Sequence, residues 1–461
     1  MQAVWPGRPG PLSAQRTEIA AGAGMLIVGA GAALSPAYTV AILGVPILLY
    51  LLSRGPWTRA VVVMGGGLTI LQISPGLSLE KIAYLATLVA ATLFAARSIA
   101  QRWRVARKIG AVPPLAAAGI VAALVTASAL VANVNGITLQ SWAIDIPSYG
   151  MLPVAVVLGI DLALSNHRPR EVAALLFLAG LASAAGFTAA WTVAHGVAQL
   201  DLSRFIFTSF FLPAGAFCLA LACAFDGRWT YRMASLAWLL LVAMLITGTR
   251  IIFLFAIPVV VVLVVSRGRR RRRVAVLLVV GVLMVGLAVT ILAVSGIASY
   301  INVDLLQTRL EGVVPLVTSF DFNSDQSLYL RYLQTRELQA AWNLHPWLGI
   351  GPGPLYSYAQ TVEVKPVDSP LAIFARFGVI GAAVFAVFFL TLLRSRIRLR
   401  AHWVPATALL AFLCLIIAWS VVSSPLDDKG IPLALIPLLG LCGVWRTTDA
   451  LAETTRAELP P

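Results

Sequence analysis

Residues 111–132 read AVPPLAAAGIVAALVTASALVA, and this run decides the class of fold. It holds no charged side chain, and a helix of this length crosses the roughly 30 Å hydrocarbon core of a bilayer. Similar runs recur along the chain, which has 461 residues, 59% of them hydrophobic and only 11% charged. The composition excludes a soluble globular protein and predicts a polytopic membrane protein.

The apolar runs predict an all-α fold with about 14 transmembrane helices, within a range of roughly 12–14. We expect residues 1–17 to be a cytoplasmic N-terminus and 18–300 to hold helices 1–11. Residues 301–369 form a long polar external loop that contains amphipathic helices, 370–447 hold helices 12–14, and 448–461 form a cytoplasmic tail. The predicted helices begin near Glu18, Ala37, Thr58, Ile82, Ala111, Gly150, Glu171, Phe207, Met233, Ile251, Val274, Ser369, Trp403 and Ile431.

The basic residues predict the orientation, because cytoplasmic loops are rich in Lys and Arg. With both termini in the cytoplasm, all but nine of the 34 Lys and Arg residues lie inside, so the multi-pass chain belongs to the cytoplasmic (inner) membrane. This topology accounts for the formal charge of +15 without nucleic acid, and Arg269 to Arg273 indicate an anchor for anionic membrane lipid. The nine external residues are Lys81, Arg204, Arg250, Arg309, Arg331, Arg336, Lys365, Arg376 and Lys429.

The external loop contains a predicted helix and a sharp turn. Asn323 and Gln326 form a start similar to a capping box, and residues 324–343 contain neither glycine nor proline, which favours a helix that carries Arg331. The sequence HPWLGIGPG follows at residues 345–353, here called the glycine turn. Its glycines permit either positive φ angles in a well-defined surface turn or the close approach of a ligand.

Three motifs together resemble the O-antigen ligase and O-antigen polymerase superfamily, over roughly residues 205–395. Thr247-Gly248-Thr249-Arg250 is similar to the family's small-polar-small-arginine signature before a membrane helix. Arg331 and the glycine turn resemble the arginine helix and its "hP-x-x-G-x-G" ending. Gly378-Val379-Ile380-Gly381 resembles the "G-x-x-G" that follows the reactive segment. The resemblance implies a fold like that of GT-C enzymes.

The chain departs from the family's pattern at the position where many members have a histidine. Many ligases of this family have a His-Asn pair about 11 residues before the "G-x-x-G" motif, and this chain has Val367-Asp368 there. Either Asp368 takes the place of the histidine as general base, or the reaction needs no base. The alternative role for Asp368 is a helix N-cap.

The resemblance implies a metal-independent glycosyltransferase without a cofactor, active in surface polysaccharide biosynthesis of the cell envelope. Its donor is a glycan on polyprenyl (undecaprenyl) diphosphate, and its acceptor is a hydroxyl of another glycan or a glycolipid. Arg250 and Arg331 would stabilise the diphosphate and act with Asp368 in catalysis. Arg336 is a further diphosphate contact or a structural residue. The alternative to phosphate binding for Arg250 is that its side chain snorkels to the membrane surface. The alternative for Arg331 is a solvated position or a salt bridge to Glu337 or Asp325.

Further candidates for glycan contact or for shaping the turn are His345, Gly349, Gly351, Gly353 and Tyr356. Lys365 is interpreted as a solvated charge. The competing class is a polytopic transporter or lipid-linked glycan flippase, which predicts ionisable residues near mid-membrane between broken helices. A family member that binds a glycan but transfers nothing is a third hypothesis.

Overall fold

The computed structural model of the protein describes residues 36–71, 78–165, 167–194, 207–226, 230–245, 254–265, 326–353, 356–358, 362–364, 369–397, 403–421 and 423–457. These residues are mainly helical, as predicted. The first eight helices are α1 (Pro36–Arg54), α2 (Pro56–Ile70), α3 (Leu79–Gln101), α4 (Trp103–Lys108), α5 (Val112–Val134), α6 (Leu139–Asp145), α7 (Pro147–Ala163) and α8 (Pro169–Ala194). The others are α9 (Phe211–Asp226), α10 (Thr230–Leu245), α11 (Ala256–Val265), α12 (Gln326–Leu344), α13 (Ala372–Ile397), α14 (Trp403–Trp419) and α15 (Gly430–Ala457).

A short strand pair is the exception to the all-α prediction within the part of the chain that the structure describes. Strand β1 (Tyr356–Tyr358) pairs antiparallel with β2 (Val362–Val364), with Tyr356 opposite Val364. A single 3₁₀ turn, Pro425–Asp427, precedes α15. Neither element changes the helical class of the fold.

Four helices are long and apolar enough to cross a membrane. These are α3, α5, residues Pro169–Ala190 of α8 and residues Ala372–Arg394 of α13. A fifth span results if α6 and α7, which meet at a bend of 51°, count as one. Six shorter apolar helices accompany them among the described residues. Twelve of the predicted starts fall at or near described helices, and those near Glu18 and Val274 lie outside the described residues. The total of about 14 spans stays a prediction.

Helices α7, α9, α14 and α15 lie at the centre of the described bundle. Apolar residues cover most of α7, α9 and α14 and residues 430–443 of α15 on all faces, which is the pattern of helices enclosed by other helices. Leu152, Leu212, Phe412 and Leu435 are fully buried there. A Cβ added to Gly159 would lie 2.8 Å from Leu439 Cβ, so this glycine allows α7 and α15 to approach closely.

Polar contacts mark the two ends of α7. At its C-terminal end Asp161 is buried and pairs with Arg59 of α2, whose Nη2 lies 2.6 Å from Asp161 Oδ2. This ion pair satisfies the charge of Asp161 within an apolar helix. At the opposite end Tyr149, roughly 18 Å away along the helix axis, belongs to a second buried cluster. That cluster lies beneath the glycine turn.

Candidate functional site

Helix α12 packs on the beginning of α13. The helix predicted for residues 324–343 is confirmed, because α12 covers nearly the same residues. Leu338 is fully buried on its inner face and clusters with Ala372. Thr335 Oγ1 donates a hydrogen bond to Ser369 Oγ at 3.1 Å. Helix α12 is therefore fixed to the segment that leads into α13, one of the helices long and apolar enough to cross a membrane.

Helix α13 is broken at Gly378, where φ is +64°. In a continuous helix the N–H groups of Val379 and Ile380 would donate to the carbonyl groups of Ala375 and Arg376. The break separates these four backbone groups from their helical partners. Since unpaired backbone groups are costly when buried, they need partners from elsewhere.

The glycine turn supplies all four partners. Its residues donate two hydrogen bonds to carbonyls before the break and accept two from N–H groups after it. The pairs are Ile350 N–H to Ala375 O (2.8 Å), Gly351 N–H to Arg376 O (3.0 Å), Val379 N–H to Pro346 O (2.9 Å) and Ile380 N–H to Trp347 O (3.2 Å). The turn and the broken helix thus complete each other's hydrogen bonding.

The three glycines of the turn have the positive φ angles that the sequence predicted. Gly349, Gly351 and Gly353 have φ of +69°, +94° and +117°. They also allow a close approach, but to the protein's own backbone. A Cβ on Gly349 would lie 2.5 Å from the carbonyl carbon of Arg376, and one on Gly351 would lie 2.6 Å from Ala132 Cα. The structure shows a well-defined turn, and a contact of these glycines with a glycan stays a prediction.

A buried arginine lies directly under this turn. The side chain of Arg376 is 0% exposed, and its Nη1 donates to Asp427 Oδ2 at 2.7 Å and to Tyr149 Oη at 2.8 Å. Arg376 Nε lies 3.1 Å from Asp145 Oδ2, at an angle too poor for a hydrogen bond. The Tyr149 hydroxyl donates to Asp427 Oδ1 at 3.2 Å. We call these four residues the Arg376 cluster.

The Arg376 cluster joins four segments that are distant in sequence. Asp145 ends α6, Tyr149 begins α7, Arg376 lies in α13, and Asp427 lies in the 3₁₀ turn before α15. Asp145 Oδ2 also accepts the N–H of Gly353 at 3.0 Å, so the cluster contacts the end of the glycine turn. The four segments therefore meet at one end of α7, where Arg376 contacts both aspartates.

A second polar group, next to the cluster, surrounds Asp428. Its Oδ1 accepts hydrogen bonds from Ser209 Oγ at 2.6 Å and from the N–H of Gly430 at 2.7 Å. Burial raises the pKa of Asp428 to about 6, although these hydrogen bonds and neighbouring Lys429 act in the opposite direction. Asp428 is therefore a carboxyl group that titrates near neutral pH at this end of the bundle.

The structure describes some of the site residues that the sequence predicted and not others. Arg250, Lys365 and Asp368 lie outside the described residues. Arg331 lies in α12, one turn before Thr335 and on the same helix face by helical spacing. Arg336 lies on the exposed side of that helix, and His345 is exposed at the start of the turn. Tyr356 lies on β1. The proposed roles of all these residues stay predictions.

Sequence reasoning missed the Arg376 cluster. In the sequence Arg376 was counted only as an external basic residue, and no site role was assigned to Asp145 or Asp427. One signal was available: Arg376 stands in a long apolar run, where an ionisable side chain needs a buried partner of opposite charge. Which acid pairs with Arg376 depends on tertiary packing, because Asp145 is 231 residues away in sequence.

Comparison with known proteins bears on the class of the chain. Residues 235–386 match the family model described as O-antigen ligase, which supports membership of the O-antigen ligase and polymerase superfamily. No curated protein matches the chain. The matched range includes α12, the glycine turn and Arg376, whereas Asp145, Tyr149 and Asp427 lie outside it. The match and the apolar helices together fit a multi-pass membrane protein.

Proposed function

We propose that this protein transfers a glycan from polyprenyl diphosphate to an acceptor hydroxyl at the outer face of the cytoplasmic membrane. The family match supports the general class of O-antigen ligase or polymerase. The donor, the acceptor and the residues that act on them are our inference.

The contact between Thr335 and Ser369 is the observation that carries the proposal. Arg331 precedes Thr335 by one helical turn, about 6 Å along the axis. Asp368 is covalently next to Ser369. The proposed phosphate-binding arginine and the proposed base thus belong to two segments joined by a direct hydrogen bond. This arrangement suits a site in which an anion and a reacting hydroxyl lie side by side.

The reaction proposed is a substitution at the anomeric carbon of the donor sugar. The acceptor oxygen forms the new glycosidic bond while the bond to the diphosphate oxygen breaks and its electron pair leaves with the diphosphate. Arg331 and Arg250 would stabilise the negative charge that develops on the leaving group, since fixed guanidinium groups bind phosphate oxygens in a bidentate manner. Asp368 would accept the proton of the attacking hydroxyl.

The transporter or flippase hypothesis receives less support. It predicts ionisable residues in the middle of the membrane. The buried ion pairs that Arg59 and Arg376 form instead lie near opposite ends of α7, at Asp161 and beside Tyr149. The bend between α6 and α7 and the break at Gly378 do fit a transporter, but the glycine turn satisfies the hydrogen bonds of that break.

Substitutions in α12 and the following segment test the proposal. Purified protein in nanodiscs would be given a polyprenyl-diphosphate glycan and an acceptor, and product would be measured by mass spectrometry. We expect Arg331→Ala to lower kcat/KM about 100-fold or more, as for the loss of a charge-stabilising group in a transition state. Asp368→Asn should lower kcat while donor binding persists, and Arg336→Ala should have a smaller effect than Arg331→Ala.

Gln339→Ala provides the matched control, because Gln339 is an exposed polar residue of the same helix. It should transfer glycan at the wild-type rate. Wild-type transfer by the Arg331→Ala protein would contradict the assigned role of Arg331. If the wild-type protein moves the intact lipid-linked glycan across a bilayer without forming product, the flippase hypothesis replaces ours.

A further inference from the structure

We propose that Arg376 is a positioning residue that holds the glycine turn, and with it the arginine helix α12, over the outer ends of the membrane helices. This inference rests on the proposed function for its catalytic consequence, although its structural part can be tested separately. We assign Arg376 no direct contact with substrate, because its side chain is completely buried.

The first support is that one residue contacts the turn by two routes. The carbonyl of Arg376 accepts the N–H of Gly351, and its guanidinium lies beside Asp145, whose Oδ2 accepts the N–H of Gly353. The two hydrogen bonds are two residues apart in the turn. Movement of Arg376 would therefore loosen both contacts together.

The second support is the charge balance of the cluster. It contains one guanidinium and two carboxylates, and the side chains of Asp145 and Asp427 are only 4% and 6% exposed. Buried charges are tolerated when they are paired, so loss of Arg376 would remove a guanidinium partner from two buried carboxylates at once. Neutralising Asp427 would keep the ion pair of Arg376 with Asp145. The cluster should therefore tolerate Asp427→Asn better than Arg376→Met.

The third support is the continuity between the turn and the proposed catalytic residues. The turn directly follows α12, whose Thr335 contacts Ser369, and Gly353 is three residues before β1. A displaced turn would shift α12 relative to Ser369. Arg331 and Asp368 belong to these two segments, so Arg376 would influence their separation without contacting either.

Hydrogen exchange of the glycine turn is the direct test. In nanodiscs, we expect Arg376→Met to raise the exchange rate of the peptide covering residues 345–353 by about tenfold or more. The acceptors of the Gly351 and Gly353 amides, the carbonyl of residue 376 and Asp145 Oδ2, remain but are no longer held in place by the guanidinium. Arg376→Lys keeps the charge but offers a compact ammonium in place of the planar guanidinium fork, so exchange should still rise. Asp427→Asn should give a smaller increase than either.

Arg59→Met is the matched control, because Arg59 forms an equally buried ion pair with Asp161 at the other end of α7. It should destabilise the protein without raising exchange in the glycine turn. An equal rise in the Arg59→Met protein would overturn the inference, since the effect would then reflect general destabilisation. Unchanged exchange in folded Arg376→Lys protein would overturn it as well. If the Arg376→Met protein does not fold, the exchange rates of the Arg376→Lys and Asp427→Asn proteins are compared with the wild type instead.

Kinetics distinguish positioning from simple loss of stability. For folded Arg376→Lys protein we expect kcat of glycan transfer to fall about tenfold while KM for the acceptor stays within about twofold. An unchanged kcat together with faster exchange would overturn the catalytic part of the inference. If the wild-type protein transfers no glycan but exchange responds as expected, the proposed function fails and the role of Arg376 in holding the turn is supported.

Discussion

Replacing Gly349 by alanine tests whether the glycine turn is as tightly joined to α13 as its geometry indicates. Gly349 has φ of +69°, a left-handed conformation that costs an alanine about 1–2 kcal/mol. Its new Cβ would also lie 2.5 Å from the carbonyl carbon of Arg376 and 2.6 Å from the carbonyl oxygen of Ala375. Backbone atoms cannot rotate away, so the turn must move, at a cost of about 1–3 kcal/mol for overpacking.

Alanine at Gly136 separates these two contributions. Gly136 has φ of +76°, close to that of Gly349, but a Cβ there would meet no atom within 4 Å. Its alanine variant therefore incurs the conformational cost alone, offset by about 0.4–1 kcal/mol from the stiffer unfolded chain. We expect a loss of about 1 kcal/mol for Gly136→Ala and about 2–4 kcal/mol for Gly349→Ala.

Unfolding of both variants in the same nanodiscs, followed by tryptophan fluorescence in denaturant, measures the difference. Gly349→Ala should also raise hydrogen exchange in the glycine turn, because the neighbouring bonds of Ile350 and Gly351 would lengthen. Equal stability of the two variants would refute the close backbone contact on which the description of the site depends.

Three further predictions concern other parts of the molecule. Burial raises the pKa of Asp428 from 3.8 to about 6, so the folded state binds this proton more tightly than the unfolded state. The resulting stabilisation is present below about pH 4 and is lost as pH rises through 6. Asp428→Asn should remove this loss from the pH dependence of the thermal-unfolding temperature, and an unchanged pH dependence would contradict the raised pKa. Arg59→Ala should lower stability by about 3–5 kcal/mol by leaving Asp161 buried without its cation, and adding Asp161→Asn should recover part of the loss in the same denaturant titration. Gly119→Ala in α5 meets open space and should stabilise the helix by about 0.5–1 kcal/mol; a loss of stability would show that α5 packs more tightly than described.

Much of the helical arrangement follows from hydropathy alone. The run at residues 111–132 became α5, and the predicted helix of the external loop became α12. Both signals are local, since a helix is specified by apolar length or by capping and the absence of helix breakers. The positive φ angles of Gly349, Gly351 and Gly353 were likewise predictable from residue type.

The Arg376 cluster could not be predicted in the same way. Arg376, Asp145 and Asp427 come from three separate parts of the chain, and each alone resembles an ordinary charge near a helix end. The break at Gly378 was recognised as a glycine motif, but its four hydrogen bonds to the turn depend on tertiary packing. Of the proposed catalytic residues, Arg331 lies in a described helix, and the site around Arg250 and Asp368 stays a prediction.

The four hydrogen bonds between the glycine turn and α13 join main-chain atoms only. Side chains at Pro346 and Trp347 can therefore change without removing a bond, since their carbonyl groups persist in any residue. The number of residues between Pro346 and Gly351 cannot change so freely. One inserted residue would move one pair of bonds by up to about 3.8 Å relative to the other, beyond hydrogen-bond reach. Apart from Gly349 and Gly351, which admit no side chain, this segment must preserve its length more than the identity of its side chains as related sequences diverge.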